Sequence, residues 1–574
     1  MALAVGWIYW PALRGGWISD DKAGIALNRE LLTAEGLGRI WRGTDSPDYF
    51  PLTGTVQWLE WHLFAQNTAG YHGVNVCLHL LSAVLFCRLL GKFGVGPAWI
   101  GGFIFAVHPL AVESVAWISE LKNTLSLPLL ILAFIFHIDG RRRWALAFFT
   151  FAMLAKTSAV MFPAVLVLYA WWRKGRVQWS DIRAIAPFAA VSIALALTTI
   201  WFQGHRAIAG VPLGLAGPIP RIALAGTAAA FYFCKCLWPA QTAFYYPKWP
   251  ASPASLEHFL PLLVLAAFFA WLWAGRRRHA VFAFGSSLIN VAPVAGLIPM
   301  AYLHFSWTAD HLAYLAIPGV AGLAAAAAGT LPGRIGATTA TTSAMVAGLL
   351  AFMAWTSHRW AGLFRDEKLL WSHTLSVNPR AWPAQANLGA VYLGEGRTDE
   401  AIGRYRAALR IKPDEEAVQL GLGAALLQAG KPQEASAQLR AAVAQDSRDA
   451  NAHFNFGSAL LALGRTSEAM DEFRATVRLN PAYPAGQYAL GVILVRSGRL
   501  DEGIGHLREA VRLDPAFAQA HNDLGIALEE SGQPAEALLQ FSEARRLNPN
   551  SIPARQNLAR ALSQTGGASS PPPK

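Results

Sequence analysis

The feature that most constrains how this chain can fold is a change of solvent partway along it. Up to about residue 357 the sequence is carried by long apolar runs rich in Trp, Phe, Ala and Leu, whereas from about residue 366 it turns polar and periodic. Mean hydropathy is positive for the chain as a whole. So much apolar sequence, concentrated in one part, reads as bilayer spans, while the periodic part needs only water.

The periodic part is legible from its punctuation. Asn378-Pro379, Lys412-Pro413, Asn480-Pro481, Asp514-Pro515 and Asn548-Pro549 recur on one 34-residue period, and Asp446-Ser447 fills the gap. Gly389, Gly423, Gly457, Gly491 and Gly525 share a second phase, and Gly396, Gly430, Gly464, Gly498 and Gly532 a third. Ala401, Ala435, Ala469 and Ala537 share a fourth, with Gly503 as the exception. These are the marks of tetratricopeptide repeats: antiparallel helix pairs in which one small residue permits close approach, a second ends helix A at a turn, and proline stops helix B. The period predicts a connecting helix over 358–381, five repeats over 382–551, a capping helix over 552–565 and a disordered tail over 566–574.

Residues 1–357 predict a polytopic membrane domain, with apolar segments at 2–13, 71–90, 97–118, 124–139, 144–155, 158–172, 184–202, 222–238, 256–274, 280–298, 311–330 and 336–357. The opening run is short and lacks a basic start, so it reads as a truncated helix rather than a signal peptide. Basic clusters at Arg88 with Lys92, Arg141 to Arg143, Arg173-Lys174-Arg176, Arg276 to Arg278, and Arg334 can all face the cytoplasm if one segment does not cross. Segment 222–238, which carries Lys235 and precedes an aromatic, Pro-rich stretch, is assigned as that exception, leaving eleven crossings and one re-entrant element. The long loop 14–70 and the repeats then share the non-cytoplasmic side.

Those loops account for most of the net charge of +12, so the charge does not indicate a nucleic-acid surface. The four cysteines, Cys77, Cys87, Cys234 and Cys236, lie within apolar spans and imply no disulfide framework.

Chemistry is sought among ionisable residues at the membrane boundary, where charge is expensive and is retained for function. Asp20-Asp21 opens the long loop; one carboxylate can serve as general base and the other as an orienting group or metal ligand, against a bland reading as a cap or turn. His72, Asn75 and His79 share one helical stripe, which reads as polar residues satisfied by neighbouring helices in preference to a zinc site, since no third ligand has motif spacing. His108-Pro109 with Glu113 places a helix break beside opposite charges, followed by Lys122-Asn123; Lys156 adds a positive charge suited to phosphate.

In this order, Asp20-Asp21, Tyr49-Phe50-Pro51-Leu52, Tyr71-His72 with Asn75, His108-Pro109 with Glu113, Lys122-Asn123, Lys156, the run 290–299 and Asp310-His311-Leu312-Ala313-Tyr314-Leu315 ahead of the repeats, the chain resembles the transmembrane and tetratricopeptide-repeat-containing O-mannosyltransferases (the TMTC type). The resemblance implies an all-α architecture: a polytopic, GT-C-like membrane domain followed by a repeat solenoid. It also implies inverting transfer of mannose or a related sugar from a polyprenyl-phosphate donor to protein Ser or Thr hydroxyls. It points to Asp20 or Asp21 as catalytic, to Lys122, Lys156, His108, Glu113, Asp310 and His311 around the donor, and to Tyr49 on the acceptor side. The family commonly has Arg where this chain has Phe50 and His311. No metal ligands are assigned, and a divalent cation is the one candidate cofactor.

In the repeats, Asn387, Asn455, Asp523 and Asn557 occupy one position of helix A, where amides can bond an extended acceptor peptide or merely be solvated. Three functions are thus weighed: a glycosyltransferase whose repeats bind the acceptor, a membrane-anchored scaffold without activity, and a lipid-linked sugar transporter. Composition leans to a bacterial inner membrane with periplasmic repeats, or to the endoplasmic reticulum lumen for a eukaryotic chain.

Overall fold

A computed structural model of the chain describes residues 1–44, 46–208, 217–249, 256–335 and 338–566. These residues are organised by helices, with no strand among them. They form two compact units, Met1–Ala384 and Gln385–Lys574. The expected tail beyond residue 566, and Pro250 in the aromatic stretch, lie outside the described residues.

Among the described residues of the first unit five helices are long and apolar enough to cross a membrane: Thr68–Lys92, Ile118–Ile138, Trp179–Ala207, Glu257–Ala274 and Ala340–Leu363. A sixth is available if Ala98–Ala106 and Pro109–Ala116, bent by 51° at their junction, count as one broken span. This is fewer than the eleven crossings expected, and length is the reason. Arg142–Ala155 has 14 residues, about 21 Å at helical rise, against a hydrocarbon core of roughly 30 Å. Phe162–Lys174 and Arg278–Val291 are as short. Helix Pro218–Leu237, the segment expected not to cross, is not among the five. Residues 358–381 are not one connecting helix: the membrane helix runs on to Leu363, and Glu367–Val377 forms a separate helix of the same unit.

The bend at 107–109 follows from Pro109, which can neither donate to the ladder nor tolerate the preceding turn. Backbone carbonyls at both ends of the second half of the span are bound by side chains. His79 Nε2–H donates to Ala106 O (3.1 Å), Ser357 Oγ to Val107 O (2.7 Å), and Asn75 Nδ2 to Trp117 O (3.3 Å). The remaining polar side-chain atoms of His79 and Asn75 are engaged as well, His79 Nδ1 with Tyr314 OH at 2.8 Å and Asn75 Oδ1 with Thr124 Oγ1 at 2.7 Å, whereas neither ring nitrogen of His72 has a partner. The polar stripe therefore re-bonds an unwound backbone, as apolar surroundings require. Glycine allows the helices to meet around it: a Cβ at Gly102 would lie 2.1 Å from Cys87 Sγ, and one at Gly319 2.3 Å from Ser287 Oγ.

The basic loops converge on one end of this unit. Lys92 pairs with Asp139 (2.5 Å), Phe93 packs on Trp172 (5.4 Å between rings), and Trp172 Nε1 donates to His279 Nδ1 (3.1 Å). Helix Ile118–Ile138 runs from beside Asp139 to the other end, where loop 14–70 lies.

The second unit is a run of helix pairs, from Thr398–Ile411 through Glu416–Gln428 with Pro432–Gln445, Ala450–Ala462 with Thr466–Leu479, Pro484–Arg496 with Leu500–Leu513, and Ala518–Glu530 with Pro534–Leu547. The glycines of the third phase turn with φ between 68° at Gly430 and 78° at Gly532, a left-handed conformation that glycine adopts without penalty. The second-phase glycines sit where helix A meets helix B: a Cβ at Gly423 would be 2.4 Å from Leu439 Cγ, and at Gly525 2.6 Å from Phe541 Cε1. Gly503 breaks the alanine phase because a Cβ there would meet Val495 Cγ2 at 2.6 Å; the other repeats carry Leu393, Leu427, Leu461 and Glu529, none of them β-branched, at the place of Val495. Leu558 and Ala561 of the final helix, Ile552–Gly566, complete the last apolar cluster with Leu528 and Phe541.

Two stability predictions follow from this packing. Gly423→Ala is expected to overpack its helix pair and destabilise the repeat unit by about 1–3 kcal/mol, read as an earlier loss of helical circular dichroism on heating the full chain; unchanged melting would refute the close-approach argument. Glu60, in helix Pro51–Phe64 of the long loop, is 4% exposed and its Oε2 has no partner. Burial pushes its carboxyl up from 4.5 to about 8. A raised folded value means stability is present at low pH and is lost as pH climbs through that value. Glu60→Gln is expected to raise the melting temperature relative to wild type by an amount that grows between pH 5 and 8; a gap independent of pH would contradict it.

Candidate functional site

The long loop is folded over the mouth of the bundle rather than left slack. Thr68 Oγ donates to Gly15 O (2.7 Å), Thr53 Oγ to Ala155 O (2.9 Å), and Ser19, at φ 55°, donates its N–H to Glu367 Oε1 (2.9 Å). Thr44 and Ser46 are held by Arg206, whose Nη1 donates to the carbonyl of each (both 3.1 Å), and Asp48 by Gln203, which donates to it and accepts from Ala301 N–H (3.0 Å).

The two adjacent aspartates separate by environment. Asp21 is 1% exposed. Its Oδ1 accepts from Ser119 N–H (2.9 Å) and Oγ–H (2.5 Å), and its Oδ2 from Ile18 N–H (3.1 Å), so it clamps the loop to the mouth of helix Ile118–Ile138. Burial raises it to about 7, against the opposing bonds from Ser119. Asp20 is open to solvent. Its carboxyl is raised from its ordinary value by the dense surroundings, opposed by Lys122, with Glu120 adding repulsion. Since it keeps access to water, that rise is smaller in consequence than the one at Asp21.

Beside Asp20 lies a cluster centred on Glu120, which is 1% exposed. Lys122 Nζ stands 2.9 Å from its Oε1, Lys156 Nζ 3.2 Å from its Oε2, and Asn123 Nδ2 2.6 Å from the same oxygen. His311 completes the ring: Nδ1–H donates to Glu113 Oε1 (2.7 Å) while Nε2 lies 4.0 Å from Glu120 Oε1. Asn123 also reaches His311 O (2.8 Å), and Glu113 Oε2 accepts from His311 N–H (3.3 Å), so the 310–313 turn is fastened to the broken span. Removing one partner of a buried pair of this kind typically costs about 3–5 kcal/mol. Trp117 and Tyr302 wall His311 edge-on, with ring separations of 5.7 and 5.2 Å, and Tyr245 stacks on Tyr302 and Trp371 behind them.

The structure thus gathers Asp20, Asp21, Lys122, Lys156, Glu113 and His311 of the sequence candidates around one mouth. Glu120 was missed. Its signal was a carboxylate two residues before Lys122 at the start of an apolar span, which a search centred on the Pro109 break passed over. His108 does other work: Nδ1 accepts from Leu110 N–H (3.2 Å) and Nε2–H donates to Cys236 O (3.1 Å), so both nitrogens serve backbone. Asp310 is fully buried, with Oδ1 accepting from Tyr246 O–H (2.8 Å) and Oδ2 unpartnered; burial and Glu113 push it well above the carboxylate range. Tyr49 donates to Trp41 O (3.1 Å) and packs on Phe202.

In the repeat unit Asp523 accepts from Tyr488 O–H (2.7 Å) and Asn522 Nδ2 (3.0 Å), while Asn557 donates to Asn522 (2.9 Å), so part of that phase is tied up internally. Asn387 and Asn455 are half-buried. Among the described residues no three His, Cys, Asp or Glu side chains group as a metal site.

Comparison with known proteins fits this division. A tetratricopeptide-repeat family model matches residues 370–416, 420–484 and 488–552. A protein O-mannosyl-transferase of Caenorhabditis elegans is 28% identical over 151 residues, 23% of this chain and 21% of the relative. The Mus musculus protein O-mannosyl-transferase TMTC3 is 27% identical over 144 residues, 23% of this chain and 16% of the relative. The chain therefore spans well under a third of the length of the curated relatives it matches. The crystal structure of MamA is 27% identical and aligns with 28% of this chain and 95% of its own, at a TM-score of 0.26. The chain carries a tetratricopeptide-repeat array and is similar, over part of its length, to TMTC-type protein O-mannosyl-transferases.

Proposed function

We propose that the protein is an integral membrane glycosyltransferase of the GT-C type. It transfers mannose or a related sugar, with inversion, from a polyprenyl-phosphate donor to Ser or Thr hydroxyls of proteins bound by its repeats. The observation that carries this reading is an accessible carboxylate, Asp20, set beside two lysines that share one buried glutamate.

Asp20 takes the proton of the acceptor hydroxyl as its oxygen attacks the anomeric carbon. The bond from that carbon to the donor phosphate breaks, and both of its electrons leave on the phosphate oxygen. The lipid phosphate gains one negative charge in this step. Lys122, whose side chain is 27% exposed, is placed to meet that charge, with Lys156 behind it. Glu120 neutralises one of the two lysines and leaves a single net positive charge, matched to a phosphodiester. Glu113 orients His311 so that its second nitrogen faces the same space. Asp21 touches no substrate in this scheme; it positions Asp20 through Ser119.

The convergence of basic loops at the opposite end of the first unit supports placing those loops in the cytoplasm and the site, with the repeats, in the periplasm or the lumen. The names of the matched relatives support the sugar and the acceptor class.

Membranes carrying the full chain should transfer mannose from polyprenyl-phosphate-mannose to protein. Asp20→Asn at equal abundance is expected to lower transfer by at least about 100-fold without lowering the melting temperature, whereas Asp21→Asn should lower both. Equal transfer by wild type and Asp20→Asn would remove Asp20 as the base. No transfer by wild type from this or other lipid-linked sugars would favour the scaffold. For the repeats, Asn387→Ala with Asn455→Ala should raise KM for the acceptor protein and leave kcat unchanged; an unchanged KM would take acceptor binding away from these amides.

A further inference from the structure

We infer that the end of the bundle remote from Asp20 holds a binding site for an anionic phospholipid headgroup. A cavity of about 480 Å³ opens there between the ends of Phe162–Lys174 and Leu260–Ala274 and the start of Arg278–Val291. Trp171, Gly175, Trp273, Arg276, Arg277 and Arg278 line it, and among the described residues no carboxylate does.

Its depth relative to a bilayer is set by composition. Glu257–Ala274 is one of the five helices fit to cross, and its final turn carries Trp271 and Trp273, 53% and 59% exposed. Large exposed indoles at the end of an apolar helix mark the headgroup layer, and Trp171 stacks on Trp273 at 4.7 Å and 11° to make a rigid wall there. The turn that follows presents three arginines in succession. Arg276 adopts φ 52°, held by its N–H to Trp273 O (2.9 Å) and by Arg278 N–H to its own carbonyl (2.9 Å). The Arg278 guanidinium lies flat on Gly175, where a Cβ would stand 2.7 Å from Nη1, so the absence of a side chain at 175 is what admits it.

The charges are not used up within the protein. Elsewhere at this end Lys92 pairs with Asp139 and Lys174 with Asp181 (2.6 Å), and Arg277 rests on Trp271 (3.9 Å to the ring). Among the described residues no carboxylate comes within ion-pair distance of Arg276 or Arg278. Two unpaired guanidinium forks over an aromatic wall at headgroup depth match a phosphodiester, whose oxygens accept bidentate bonds, and whose acyl chains would leave along the apolar helix.

The test uses the full chain in nanodiscs of phosphatidylcholine doped with phosphatidylglycerol or cardiolipin, with lipid retained after detergent extraction counted by native mass spectrometry. Wild type should retain the anionic lipid in preference to phosphatidylcholine. Arg276→Gln with Arg278→Gln should cut that preference about tenfold, whereas Arg141→Gln with Arg143→Gln, in a basic loop at the same end, should leave it unchanged. Arg276→Lys with Arg278→Lys keeps the charge and should still lose the preference several-fold; it also serves if the glutamine variant does not fold. Equal losses in the two glutamine variants would reduce the effect to diffuse attraction and overturn the site. Unchanged retention in the lysine variant would overturn the bidentate geometry, and displacement by millimolar inorganic phosphate would show a free-anion site instead.

Discussion

Backbone that leaves a helix inside an apolar bundle must be bonded again, and the break at 107–109 imposes that requirement on the whole first unit. Pro109 ends one half of the span, and the carbonyls of Ala106 and Val107 are then met by His79 and Ser357; at the far end of the second half Asn75 adds a bond to Trp117 O, which also takes Glu120 N–H. An unmet carbonyl in such surroundings costs several kcal/mol. The three polar residues therefore fix the register of their own helices as firmly as any apolar contact does. Because the second half of the span, Pro109–Ala116, is turned by the break, it delivers Glu113 to the mouth where Ser119 and Glu120 open the next helix, Ile118–Ile138.

That delivery explains why so many charges can be buried so close together. Glu120 alone would be intolerable at that depth; with Lys122, Lys156 and Asn123 around it, each of its oxygens has a donor. The cluster has no surplus of negative charge to repel a phosphate, and it keeps one lysine partly open. Asp20, one residue from the buried clamp of Asp21, inherits a fixed position without being buried itself. Geometry of this kind is what a general base needs: held in place by a neighbour, yet reachable.

Legibility from sequence followed the range of the interaction. The repeats were readable because every contact that defines them lies within one or two 34-residue periods, so glycine, alanine and proline recur in step. Even the exception at Gly503 is local, since its cause is Val495, eight residues away. The polar stripe His72, Asn75 and His79 could be read as structural, but the partners of Asn75 and His79, 27 to 235 residues away in the chain, could not be named. His72 itself remains buried with neither ring nitrogen bonded, and we have no physical account of it.

At the site, sequence marked Asp20-Asp21 as a pair without ranking them, because adjacent residues share every local property; only Ser119, reached across 98 positions, separates the clamp from the free carboxylate. His108 and Glu113 were read together because they flank the same proline. The fold divides them, giving His108 to the backbone of Leu110 and Cys236 and giving Glu113 to His311. Glu120 was invisible for the opposite reason. A glutamate beside a lysine at the start of a helix is ordinary surface chemistry until a loop folds over it. What converts the pair into a site is the loop, whose hold on the bundle runs through Asp21, Thr53 and Thr68. Chemistry at this mouth therefore depends on polar side chains that never meet a substrate, and substitutions there should be read first for what they do to the loop.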